Sequence, residues 1–176
     1  MTSDPLPDNT PGFDEPLALL RACHTGMLAH CDRLERLVTG PEDAATGEAA
    51  RTEARKVISY FSSSAPRHHQ DEESDLFPLL VRQSLKLADL IHGLRQEHRE
   101  LAALWEELQP ELQRIPEVAD HRSLAEKAVA FCELNRKHIQ RENREFLPLA
   151  ESSLSRQQLK DIGIAMASRR GVRYPG

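Results

Sequence analysis

The chain has 176 residues, 39% of them apolar, with 23 basic and 28 acidic side chains and a formal net charge of -5. That length suits one domain with a sizeable core. The acidic balance argues against a general nucleic-acid binder, and no apolar run approaches the roughly 20 residues of a membrane span.

Residues 1–15 read as a mobile leader rich in proline and acid. The opening MTSDPLPDNTPGFDEP has no Lys, no Arg and no apolar centre, so it is not a signal peptide, and the expected compartment is the cytoplasm. Cys23, Cys31 and Cys132 are widely spaced and form no CxxC pair, which predicts reduced, packed thiols.

From Leu17 to Val38 one apolar stripe of helical spacing passes through Leu20, His24, Met27, Cys31 and Leu34, and Gly40 with Pro41 ends it. A second stripe runs from about 49 to 80 through Val57, Phe61, Leu76 and Leu80; Ser62, Ser63, Ser64 and Pro66 should bend or interrupt it. A third runs from about 85 to 112 through Leu90, Leu94, His98, Leu101 and Trp105, and a fourth from about 124 to 149. A short fifth helix, about 156–168, follows a capping box formed by Ser155 and Gln158, and Gly171 can close it. The basic tail SRRGVR is expected to be a solvated end. No segment alternates with the period of a strand. The predicted fold is all-α: an up-down-up-down antiparallel four-helix bundle over 16–150, then a short C-terminal helix and tail over 151–176.

A shift of 70 residues aligns the second and fourth helices. Phe61 falls on Phe131, His68 on His138, Glu72 on Glu142 and Pro78 on Pro148, so each carries H-x-x-x-E with a proline six residues after the glutamate. Residues four apart share one helix face. With about 100° per residue, Glu72 lies about 40° from His68, mid-stripe with Phe61 and Leu79; His69 flanks it, Glu73 lies towards the rim, and Asp71 faces away into solvent. Two carboxylates therefore point into the core, at a cost of at least several kcal/mol each unless protonated, paired with cations or bound to metal. Lys and Arg are scarce on the stripes, whereas His24 and His98 sit mid-stripe on the first and third helices. The set His24, His68, His69, Glu72, His98, His138 and Glu142 is too large for one tetrahedral zinc. It suits two ions bridged by the carboxylates, and imidazole with carboxylate fits iron or manganese. Glu73 is the alternative to His69. His30, His92 and His121 lack a partner pattern and read as surface or packing residues. Trp105 reads as a core wall that could also line a ligand pocket.

The chain resembles the hemerythrin-like proteins of the HHE cation-binding family. The residues that carry this are His24, HHQDEESDLFP on the second helix, QEH ending at His98, and HIQRENREFLP on the fourth. The resemblance implies a non-haem di-iron centre in which Glu72 and Glu142 bridge and His24, His68, His69, His98 and His138 are terminal ligands. The oxygen carriers of the family have two histidines four apart on the third helix, where this chain has Leu94 and Ala102 around His98. They also have an aspartate where this chain has Asn143.

The function expected from residues and resemblance together is binding of a small oxidant or gas (dioxygen, nitric oxide or peroxide) at an open iron position, as sensor, store or scavenger. A sensor would need a separate protein partner. A di-iron peroxidase or ferroxidase is the alternative, weakened because no glutamate is followed three residues later by histidine, as in ferritin-like oxidases. A metal-free or zinc-bearing interaction bundle is the third reading. A binding role is favoured over catalysis.

Overall fold

The first stripe folds as α1, Pro16–Thr39, with proline at its first position, where the missing N–H goes unused and φ is already helical. Gly40 ends it, its N–H donating to the Arg36 carbonyl at 3.1 Å. The computed structural model describes residues 11–40, 47–115, 117 and 121–175, so Pro41 and residues 1–10 of the expected leader lie outside it. The second stripe forms α2, Gly47–Asp71, and α3, Phe77–Leu80. Contrary to expectation, the helix runs through Ser62–Ser64 and Pro66 without interruption. The irregularity comes later, in a π-helical turn, Glu72–Leu76. The third is α4, Leu85–Gln113, capped by Ser84 Oγ, which accepts from the Leu87 N–H at 3.2 Å. The fourth is α5, His121–Arg141, a second π turn, Glu142–Phe146, and α6, Leu147–Ser153. Finally α7, Arg156–Arg169, starts with the reciprocal Ser155/Gln158 box, and Gly171 follows it at φ +66°. The described residues contain no strand.

The four long helices close a ring: α1 packs on α2 and α5, and α4 packs on α2 and α5. Each helix thus lies beside its neighbours in sequence, which is the up-down-up-down bundle. Its core is two apolar blocks. One holds Met27, Phe61, Ala65, Leu101, Trp105 and Phe131. The other holds Leu20, Leu76, Phe77, Leu94 and Phe146. Between them, at one level on every helix, lie His24, His68 with Glu72, His98, and His138 with Glu142, all buried.

The two π turns sit at the same place in the repeat. The Phe77 N–H donates to the Glu72 carbonyl and the Leu147 N–H to that of Glu142, five residues back in each case. Proline supplies the reason. Pro78 and Pro148 have no N–H for the carbonyl four residues before them, and in a regular helix their rings would clash with it. A wider turn relieves that clash, and such turns gather at functional sites. The extra residue delays the buried face by one position. Leu76, Phe77 and Leu80 are buried after Glu72, as are Phe146, Leu147 and Ala150 after Glu142. Leu79, counted into the core at a uniform 100° per residue, is instead 37% exposed, and Leu149 is half-buried.

Asp71 and the basic tail also depart from expectation. Asp71 is not solvated: it is 0% exposed, beneath α7. Arg169 and Arg170 of the tail both bond its carboxylate, Arg170 Nη2 at 2.6 Å, and Arg169 Nη2 reaches Asp75 at 2.9 Å. The tail is therefore a clamp on the back of the helix that carries Glu72. Gly163 permits the docking of α7, since a Cβ there would come within 1.9 Å of the Phe13 carbonyl oxygen. All three cysteines are free; Cys31 and Cys132 are buried and Cys23 half-buried. His30 stacks on Tyr60 at 3.9 Å, while His92 and His121 are exposed.

Candidate metal centre

Regular helix up to the π turn sets each His–Glu pair on one face, and the bundle then turns both pairs inward. Glu72 and Glu142 are each 0% exposed. Glu72 Oε1 lies 3.4 Å from His68 Nε2, and its Oε2 lies 3.4 Å from His98 Nε2. Glu142 Oε2 lies 2.9 Å from His24 Nε2, and its Oε1 lies 3.2 Å from His138 Nε2. Each carboxylate thus sends one oxygen to the His24/His68 half and the other to the His98/His138 half. The imidazole nitrogens of each half face one another, at 3.0 Å for His24 and His68 and 3.2 Å for His98 and His138.

All four carboxylate oxygens are close to nitrogen yet none has a protein hydrogen bond in good geometry. Nitrogens and oxygens converge on shared points rather than pairing off, as ligands of a cation do. Two sets of four buried residues have ligand atoms within 4.8 Å of one another: His24, His68, Glu72 and Glu142, and Glu72, His98, His138 and Glu142. The donor set fits two imidazole–carboxylate metal positions sharing both glutamates.

His69 groups with His98 and His138 within the same limit. Its ring stacks on His98 at 4.0 Å, and its Nε2 is buried without a hydrogen-bond partner. Glu73, the alternative, stays outside: its side chain is 41% exposed and its Oε1 accepts from His98 Nδ1 at 2.7 Å. Two further outer partners were not anticipated from sequence. Asn143 Oδ1 meets His24 Nδ1 at 2.8 Å, and Glu97 Oε2 meets His138 Nδ1 at 2.8 Å while Glu97 Oε1 takes Arg141 Nη1 at 2.6 Å. These acceptors hold the proton on Nδ1 and leave Nε2 turned inward. The only sequence signal for them is adjacency, since Glu97 precedes His98 and Asn143 follows Glu142.

Burial by itself would push the imidazoles towards neutrality. The glutamates outweigh it, so His68 rises well above the usual histidine range, His98 to about 10 and His138 to about 9. His69 goes the other way, held neutral by burial and by the cationic rings around it. Glu142 stays well below the carboxylate range because His138 and its neighbours outweigh desolvation. Without metal, protons on imidazole therefore balance the buried carboxylates. A histidine pKa raised on folding stabilises fully below about 6.5, and that contribution disappears as pH climbs through the folded value. The chelator-treated protein should accordingly melt at lower temperature as pH is raised through about 9 to 10, and metal should abolish that fall by replacing the protons. Differential scanning calorimetry with and without metal checks this; equal pH profiles would contradict it.

The sequence pattern of the hemerythrin HHE cation binding domain matches residues 15–150. The chain is also similar to a protein of Haemophilus influenzae described as an uncharacterized protein, with 29% identity over 163 residues, 92% of this chain and 93% of that one.

Proposed function

This chain belongs to the hemerythrin HHE cation-binding family, and from that premise we propose that it is a di-iron protein binding dioxygen, nitric oxide or peroxide as sensor, store or scavenger. The observation that carries the reading is the pair of buried glutamates, each aiming one unbonded oxygen at each histidine group. In a metal-free interaction bundle those oxygens would be satisfied by neighbouring donors.

Glu72 and Glu142 would bridge, His24 and His68 would hold one ion, and His98, His138 and His69 the other. When bound, paired iron supplies a two-electron couple and coordination positions that the protein leaves open. With two imidazoles on one side and three on the other, an ion at His24/His68 would have fewer protein donors and so a coordination position for a small ligand. Glu97 remains ionised although half-buried, because His138 and Arg141 outweigh its desolvation. It therefore strengthens His138 as a donor. The apolar blocks on either side lower the local dielectric and sharpen the electrostatics of the polar layer.

Anaerobic loading with ferrous iron, followed by elemental analysis and an absorption spectrum before and after air and azide, tests the proposal. The expected result is about two irons per chain and near-ultraviolet ferric bands that azide shifts. Fewer than one iron per chain, or a spectrum indifferent to air and azide, overturns it.

A further inference from the structure

A cleft of about 530 Å³ opens on the second half of the centre and ends at His69 and His98. A liquid water occupies about 30 Å³, whereas clefts of roughly 300–1,000 Å³ hold organic ligands. Its size is thus far beyond what a diatomic gas requires. One wall is three aromatic rings in mutual contact: Phe61 lies 5.3 Å from Trp105 and 4.9 Å from Phe131, and Trp105 lies 5.4 Å from Phe131. The lining also includes the small residues Ala65, Pro66 and Ala102. Ala102 stands one turn after His98, where the side chain stops at Cβ.

The polar groups on this cleft include several acceptors. Trp105 spends its indole N–H on Ser62 Oγ at 3.3 Å. Asn135, 2% exposed, donates its amide N–H to the Phe131 carbonyl at 3.0 Å, which leaves its Oδ1 to accept. Glu106 adds a carboxylate that enters no ion pair among the described residues, and Glu73 adds one whose Oε1 already accepts from His98 Nδ1 at 2.7 Å. Two cations also line the cleft: Arg99, which donates to Gln96 Oε1 at 2.5 Å, and His98, which donates to Glu73. An occupant that brings a ring to the aromatic side and a positive N–H donor to Glu106 complements the aromatic rings and the one unpaired carboxylate among the lining residues.

We propose that this cleft is a binding site for a small aromatic amine in its protonated form, seated against the His69/His98 half of the centre. Its aromatic side and Glu106 lie outside the residues assigned to the metal, and only its inner end, at His69 and His98, is shared with them.

Titration of the full-length protein with phenethylamine, and with phenylacetate as the ring of opposite charge, tests this. Calorimetry gives the affinity, and Trp105, the chain's one tryptophan, reports occupancy by fluorescence. Phenethylamine should bind and shift the emission, and phenylacetate should bind at least about tenfold more weakly, the loss of one cation–π or paired-charge contact. Ala102→Phe, at an exposed position, should fill the cleft and abolish binding with metal content unchanged, and Glu106→Gln should erode the preference for the amine. Absence of phenethylamine binding, equal affinity for phenylacetate, or full binding by Ala102→Phe overturns the proposal. Running iron-loaded and metal-stripped protein in parallel separates this failure from failure of the di-iron reading.

Discussion

Glu72→Ala and Glu142→Ala should each strip metal from both halves of the centre. Either glutamate gives one oxygen to the His24/His68 side and one to the His98/His138 side. One truncation therefore removes a donor from two positions at once, whereas His24→Ala removes one from a single position. Outer partners set the scale for comparison. Losing a hydrogen-bond acceptor behind a metal-binding histidine costs about 10–100-fold in affinity, so Glu97→Gln and Asn143→Ala should fall in that range and the two alanine variants beyond it. The metal-free forms add a second signature. With one carboxylate gone, the raised imidazoles lose a counter-charge, and their contribution to stability should vanish at lower pH than in the parent. Metal-to-protein ratios after dialysis, with chelator competition for affinity, measure the first effect. A full complement of metal in both alanine variants would sink the bridging assignment.

Asp71, next to Glu72 in sequence, should give the opposite pattern: a large loss of stability with metal per folded molecule unchanged. Its carboxylate is 0% exposed and is clamped by Arg169 and Arg170, which are 18% and 20% exposed. Breaking a buried pair by removing one partner costs about 3–5 kcal/mol, because a charge is left without compensation. Which partner is removed decides where in that range the result falls. In Asp71→Ala the two guanidinium groups retain access to water, so the loss should be near the lower end, a fall of roughly 6–12 °C in Tm for a chain of this size. Replacing both Arg169 and Arg170 by alanine strands the carboxylate itself and should cost more. Urea unfolding of the variants, with metal analysis of the folded fraction, tests the order. Loss of metal from folded Asp71→Ala, or an Arg169/Arg170 double variant milder than Asp71→Ala, would contradict it.

The inward positions of His24, His68, Glu72, His98, His138 and Glu142 were legible because they follow from local geometry. An imidazole and a carboxylate four residues apart share a face in any regular helix, and a polar residue in an apolar stripe must go where the stripe goes. The repeat strengthened this, since the same pair recurs 70 residues later with the same proline after it. The one-residue slip after each glutamate falls outside that rule, because a uniform angle per residue holds only while the helix stays regular, and Pro78 and Pro148 make it irregular.

Sequence by itself, then, determined the helices, their order and, up to each π turn, which residues face the common core, since all of these depend on neighbours within one or two turns. Only the tertiary structure decided what covers the opposite faces. Asp71 is buried because Arg169 and Arg170, nearly a hundred residues later, fold back over it. Likewise Glu73, Glu97 and Asn143 orient the histidines through contacts between helices, and the cleft is a gap left where α2, α4 and α5 meet. Periodicity along a helix marks its apolar face; it carries no information about a partner that arrives from elsewhere in the chain.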